Sequence, residues 1–459
     1  MAMDSKQGGI GLFGALSIGV GGIVGGGFFA TFGIAAAGAA GGTPIAFMIG
    51  GAIALLTAYS YIGLTLSFPG PGGTVSFITR SFGDGLFSAT VNVLLILSYV
   101  AIMAVYAYAL AGYSQGYLPK PLAWTGTHLL SSAALVILAL VNFVGPGLVQ
   151  KSESIFNVGK LAVLGIFIIG GLVMPGLDWS RLAPSAWSGP MAIVSAGMIG
   201  FLAYEGFELI ANASDRIANP QRVLPVAFLS SVLIAIVIYG LAFIVGLGHL
   251  PLAQLLAAKD FAISEAAGSF LGPWGFGLMA LGAMLASASA ITADYFGASR
   301  LPPQLSTFSK LPSAFHRSLN QRRTRSLVII GVLALLGVNF MSIEALSSAT
   351  SGGFLMVFAA LNVAAWRLAP QTGANRLLPA LAAALCIVAL AVTLWQFLTT
   401  PGSAIQAVAI GGIVVVALAI EGLARLIEAR VAARHPIASP ASDRRTDQPP
   451  RRQGGSRTP

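Results

Sequence analysis

The chain has 459 residues, of which 56% are hydrophobic and only 9% charged. A water-soluble domain carries roughly 25% charged residues, so this composition excludes a water-facing surface and makes lipid the main solvent. The net charge of +10 would suit nucleic acid. Its placement excludes that partner, because many Arg residues lie in the C-terminal tail and in one loop rather than along a basic face.

About 20 apolar residues cross a bilayer. On that length the sequence predicts an all-α integral membrane protein with twelve transmembrane helices. They fall at roughly 10–37, 43–66, 86–117, 128–145, 154–174, 190–213, 223–247, 270–299, 326–341, 345–367, 377–398 and 403–426, the ninth being short. Residues 1–9 form a short polar N-terminus. The apolar stretch after them is too long for the h-region of a signal peptide. Residues 427–459 are rich in Pro, Arg, Ser and Asp, which predicts a disordered basic tail. The tail suits either an electrostatic contact with lipid or ordinary positive-inside bias.

Charge sets the orientation. With the N-terminus in the cytoplasm, Lys120, Arg181 and Lys259 alone among the 25 Lys and Arg residues fall outside. Both termini are then cytoplasmic and the span count is even. The single cysteine, Cys386, lies in an apolar run and offers no disulfide or metal framework. The four histidines are scattered without metal-ligand spacing, and no cofactor motif is present.

Two spans are interrupted. The first contains Gly19-Val20-Gly21-Gly22-Ile23-Val24-Gly25-Gly26-Gly27-Phe28. Each glycine weakens a helix by about 1 kcal/mol relative to Ala. Such a cluster at membrane depth reads as a break lining a cavity, or as close packing of small residues between helices. The sixth span reads Phe201-Leu202-Ala203-Tyr204-Glu205-Gly206-Phe207-Glu208, with two carboxylates in an otherwise apolar helix. Ionisable groups there are costly and face a cavity or a partner. Breaks in spans one and six, five helices apart, predict a transporter of two five-helix inverted repeats, about 10–174 and 190–367, with two extra helices over 377–426. N–H groups at Gly26 and Gly27 suit a carboxylate, and carbonyls near Ile23 and over Phe201 to Tyr204 suit an ammonium. A zwitterion fits both.

These residues resemble the amino acid permeases of the amino acid–polyamine–organocation superfamily, which have the LeuT-type fold. The likeness spans roughly 8–425. It rests on Gly25-Gly26-Gly27-Phe28-Phe29, on Pro71-Gly72-Gly73-Thr74 through Phe82-Gly83, and on the span-six signature followed by Asn219-Pro220-Gln221-Arg222-Val223-Leu224-Pro225. The nearest likeness is to prokaryotic proton-coupled permeases of broad specificity. These carry a lysine in span five, which falls here on Lys160 in Val158-Gly159-Lys160-Leu161-Ala162-Val163-Leu164. The resemblance implies secondary transport of amino acids across the cytoplasmic membrane by proton symport and alternating access. It places substrate contacts on Ile23, Gly25, Gly26, Gly27, Leu202, Ala203, Tyr204 and Glu205, and coupling or gating on Lys160 and Glu208. No catalytic residue, metal or cofactor is implied.

Alternatives remain open at this point. Lys160 also suits snorkelling to the interface. Glu205 suits a counter-charge for a cationic side chain, a part in proton coupling, or a cap on unwound backbone. Ser98, Tyr99 and Ser289 are expected to face the substrate side chain. Ser287, Ser289 and Thr292 suit a cation position near Lys160, or bonds to their own backbone. Arg300-Leu301-Pro302-Pro303 departs from the family and predicts an early end to span eight. A sodium-independent exchanger and a polyamine or amine transporter share most of these features. A receptor or intramembrane enzyme would need a signalling domain or a catalytic constellation.

Overall fold

A computed structural model describes residues 9–70, 72–115, 123–144, 146–258, 261–298 and 319–434. Lys6, Pro71, Lys120, Lys259, Arg300 to Pro303 and the tail from 435 lie outside the described residues. The described chain is helical, with two isolated bridges as its only extended pairing, Ile10 with Ile217 and Ala40 with Trp187.

Ten described helices are long and apolar enough to cross a bilayer, or eleven when one bent pair counts as a single span. That pair is α1 (Leu12–Ile23) and α2 (Gly26–Ala39), bent by 42°. Then follow α3 (Thr43–Ser67), the short α4 (Gly73–Phe82), α5 (Leu86–Gln115), α6 (Ala123–Val144) and α7 (Pro146–Val173). Span six is α8 (Pro190–Phe201) with the single turn α9 (Leu209–Asn212). After it come α10 (Pro220–His249), α11 (Leu252–Ala258), α12 (Ala262–Ala298), α13 (Leu319–Phe340), α14 (Ile343–Thr372), α15 (Leu377–Thr399) and α16 (Ala404–Arg434). The apolar part of α13, Thr324–Phe340, is too short to count as a full span and stands where the ninth was expected.

Local sequence explains the boundaries. Pro190 and Pro220 start α8 and α10 at the first helical position, where a missing N–H costs nothing. Ser342 caps α14 through the N–H of Ala345 at 3.3 Å. Gly272, at φ 69°, kinks α12 one residue before Pro273, near the predicted start of span eight. The last helix runs on to Arg434, past the predicted end at 426, because Glu421 and Arg425 pair at i,i+4 and Ala-rich sequence propagates the helix.

The core is built on α5, which packs against α12 and α14, while α3 packs against α10 and α8. Large apolar side chains of α6, α15 and α16, such as Ile137, Ile387 and Val415, lie exposed along the outside, as lipid contact requires. Contacts also sort the two ends. At one end Ile10 pairs with Arg216, and the guanidinium groups of Arg80 and Arg367 stack over Phe68 and Phe82. At the other, Arg181 donates to the carbonyl of Gly248.

Candidate functional site

The first break has a simple backbone cause. Val24 leaves the helical region at ψ 64°, and Gly25 is extended. The Gly25 N–H turns back to the Ile23 carbonyl at 2.7 Å. α2 therefore restarts at Gly26 with no side-chain cap, leaving its first N–H groups without helical partners. No side chain could be added here. A Cβ on Gly26 would sit 2.7 Å from Ser287 Oγ and 2.9 Å from Tyr106 Cδ1.

The second break lies opposite. α8 tightens into a 3₁₀ turn over Leu202 to Tyr204, Glu205 is extended, and Gly206 takes φ 113°. Glu208 caps the unwound stretch. It accepts from the Gly206 N–H at 2.8 Å and from the Tyr99 hydroxyl at 2.9 Å. The two breaks meet backbone to backbone, since a Cβ on Gly22 would lie 2.7 Å from the Gly206 carbonyl oxygen. Tyr239 ties them together: its single O–H is shared between the carbonyls of Ile23 at 2.8 Å and Ala203 at 2.9 Å. The tyrosine ring is held by stacking on Phe28, with centroids 4.4 Å apart.

Lys160 does not snorkel. It is fully buried, and its Nζ donates to the Gly21 carbonyl at 2.7 Å. The ammonium thus bridges α7 to the interrupted α1. Beside it, Gly21 faces the side chain of Asn157 so closely that any Cβ would collide.

Around this junction lies a small cavity of about 10 Å³, with room for about one water. It is lined by Gly21, Gly22, Gly206, Tyr106, Ser289, Ala290 and three carboxylates: Glu205, Glu208 and Asp294. Glu205 is 5% exposed, and among the described residues neither carboxylate oxygen has a hydrogen-bond partner.

Several expectations change. Ile23 does not offer a free carbonyl, because Gly25 and Tyr239 already donate to it. Tyr204 points its hydroxyl at the Phe47 carbonyl, 2.8 Å away, and anchors α3. Ser98 bonds the Leu94 carbonyl at 2.8 Å and packs against Gly353, away from the cavity. Thr292 bonds the Ala288 carbonyl of its own helix, whereas Ser287 sits against Gly26. Leu202 packs its side chain on Gly27, where a Cβ would be 2.7 Å away. In α4, which follows span two, the hydroxyls of Thr74 and Tyr61 are hydrogen-bonded at 2.5 Å.

Sequence reasoning missed Tyr106, Tyr239 and Asp294. Asp294 carried the same signal as Glu205, an ionisable residue inside a predicted span. The tyrosines carried none, because aromatic residues fill apolar helices everywhere in this chain.

Comparison with known proteins agrees with this architecture. The profile of the family described as amino acid permease matches residues 10–419. The chain belongs to that family. An uncharacterized protein of Methanocaldococcus jannaschii is 32% identical over 376 residues, covering 82% of this chain and 86% of that one. The inner membrane transport protein YbaT of Escherichia coli is 33% identical over 362 residues, covering 78% and 83%. The branched-chain amino acid permease BcaP of Bacillus subtilis is 24% identical over 375 residues, covering 77% and 79%. The chain is therefore a multi-pass membrane permease, a transporter rather than an enzyme, and its relatives support amino acid transport.

Proposed function

We propose that this permease carries amino acids into the cell by proton-coupled symport and alternating access. Twelve spans would be arranged as two inverted five-helix repeats plus two further helices, with both termini cytoplasmic in the cell membrane. The observation that carries this reading is the apposition of two interrupted helices at Gly22 and Gly206, with the buried Lys160 ammonium on the Gly21 carbonyl.

Each part has a role in that scheme. The substrate carboxylate binds the uncapped N–H groups at Gly26 and Gly27, where the helix dipole is positive. The substrate ammonium binds carbonyls of the unwound segments. Tyr239 now donates to two of these, at Ile23 and Ala203, so ammonium and hydroxyl compete for the same acceptors. The cavity has room for about one water, so substrate entry requires α1, α9 and α12 to separate. Lys160 loaded with a proton holds the Gly21 carbonyl by a charge-assisted bond; the neutral amine still donates but more weakly, so α1 is freer to move.

The test is uptake of labelled amino acids into proteoliposomes, with and without an inward proton gradient and with sodium varied separately. Uptake should follow the proton gradient and ignore sodium. Lys160→Met keeps the apolar stem but removes the donor, and should abolish gradient-driven accumulation. A sodium requirement, or accumulation that survives Lys160→Met, would overturn the coupling scheme.

A further inference from the structure

Among the carboxylates of the cavity, Glu208 and Glu205 differ sharply. Glu208 has its charge satisfied by the Gly206 N–H and the Tyr99 hydroxyl. Glu205, three residues earlier, is likewise buried, and among the described residues neither of its oxygens meets a donor or an acceptor. Ionised, such a group carries an uncompensated charge in a medium that penalises it severely. Protonated, it would still bury an O–H with nothing to receive it. A proton therefore answers only half of the problem. A ligand bearing several N–H donors and a positive charge answers all of it.

The surroundings point the same way. From α1, Gly22 faces the cavity; from α5, the Tyr106 ring; from α12, Ser289 and the Asp294 carboxylate; from span six itself, Glu208. Three carboxylates thus converge on one small space. The nearby cation, Lys160, is turned to the Gly21 carbonyl. The three carboxylates lie beside the same unwound backbone that would hold the α-amino and α-carboxylate groups.

We infer that the transported substrate carries a second positive charge on its side chain, an ammonium or guanidinium group, and that Glu205 receives it. This rests on the amino acid site proposed above and specifies its substrate class. Asp294 shares the cavity and adds to the negative field, while Glu205 makes the direct contact.

The experiment is counterflow in proteoliposomes of the full chain, with unlabelled lysine and norleucine competing against labelled lysine and labelled leucine. Norleucine has the length of lysine without its ammonium. In the wild type, lysine should compete at least about tenfold better, since a site with a buried polar group rejects the analogue that leaves it unpaired. Glu205→Gln should collapse that preference towards unity. Equal competition by norleucine in the wild type overturns the inference and leaves amino acid transport standing. An unchanged preference in Glu205→Gln, in protein that still elutes as one monodisperse species, overturns it too. The wild-type ratio decides the matter by itself if the variant does not fold. Counterflow of neither amino acid overturns the proposed function, and this inference with it.

Discussion

Gly206→Ala places a methyl group where the two interrupted spans touch. The residue has φ 113°, outside the range that L side chains adopt freely. The new Cβ would fall 2.6 Å from the Gly22 carbonyl oxygen and 2.8 Å from the Ile23 nitrogen. Both are backbone atoms of the opposite break, so no side-chain rotation relieves the clash. Backbone strain and overpacking contribute about 1–3 kcal/mol each, or about 2–6 kcal/mol together. The matched control is Gly240→Ala on α10, where a built Cβ meets no atom within 4 Å. It should be neutral or stabilise by about 1 kcal/mol, as an alanine does inside a helix. Thermal denaturation in detergent, read by the loss of the monodisperse peak, should separate the two. Gly206→Ala should fall by about 2–6 °C, given how unfolding entropy grows with chain length, and Gly240→Ala should not fall. Transport should drop with Gly206→Ala even below its melting range, because the breaks can no longer close on each other. Equal midpoints and undiminished uptake for Gly206→Ala would refute the backbone-to-backbone contact.

Two further predictions concern the polar ties. Tyr239→Phe keeps the ring stacked on Phe28 but removes the donor shared by Ile23 and Ala203; the ligand-free protein should lose about 1–3 kcal/mol of stability, read as an earlier thermal midpoint. Asp178 lies in the turn after α7, where the Ser180 hydroxyl and N–H, with a smaller contribution from Arg181, hold its carboxyl below the usual carboxylate range. A lowered folded value means that this turn is stabilised above the ordinary carboxylate range and loses that stability as pH falls through the lowered value. Hydrogen-exchange protection of the Ser180 amide should therefore fade on acidification, and Asp178→Asn should remove that dependence.

Much of the site was legible because glycine and ionisable residues are expensive inside a membrane. The run from Gly19 to Gly27 and the pair Glu205 and Glu208 marked both breaks, and each lies where a helix stops. Lys160 stood out for the same reason. What could not be read was the partner of each group. Glu205 and Glu208 look alike in sequence, yet Glu208 accepts from Gly206 and Tyr99 while Glu205 has no hydrogen-bond partner among the described residues. Ser98 and Tyr99 are neighbours, yet one turns to its own helix and the other reaches Glu208.

The sequence by itself determined the solvent, the succession of apolar helices and the two places where a helix fails. Those follow from composition and local backbone preference, which need no neighbours. Tertiary structure alone decided that Gly22 meets Gly206, that Tyr239 joins Ile23 to Ala203, that Lys160 reaches Gly21, and that Asp294 shares a cavity with Glu205. The physical reason is that lipid is as apolar as the core, so these helices are apolar all round. No periodicity then announces which face turns inward, and only packing settles it.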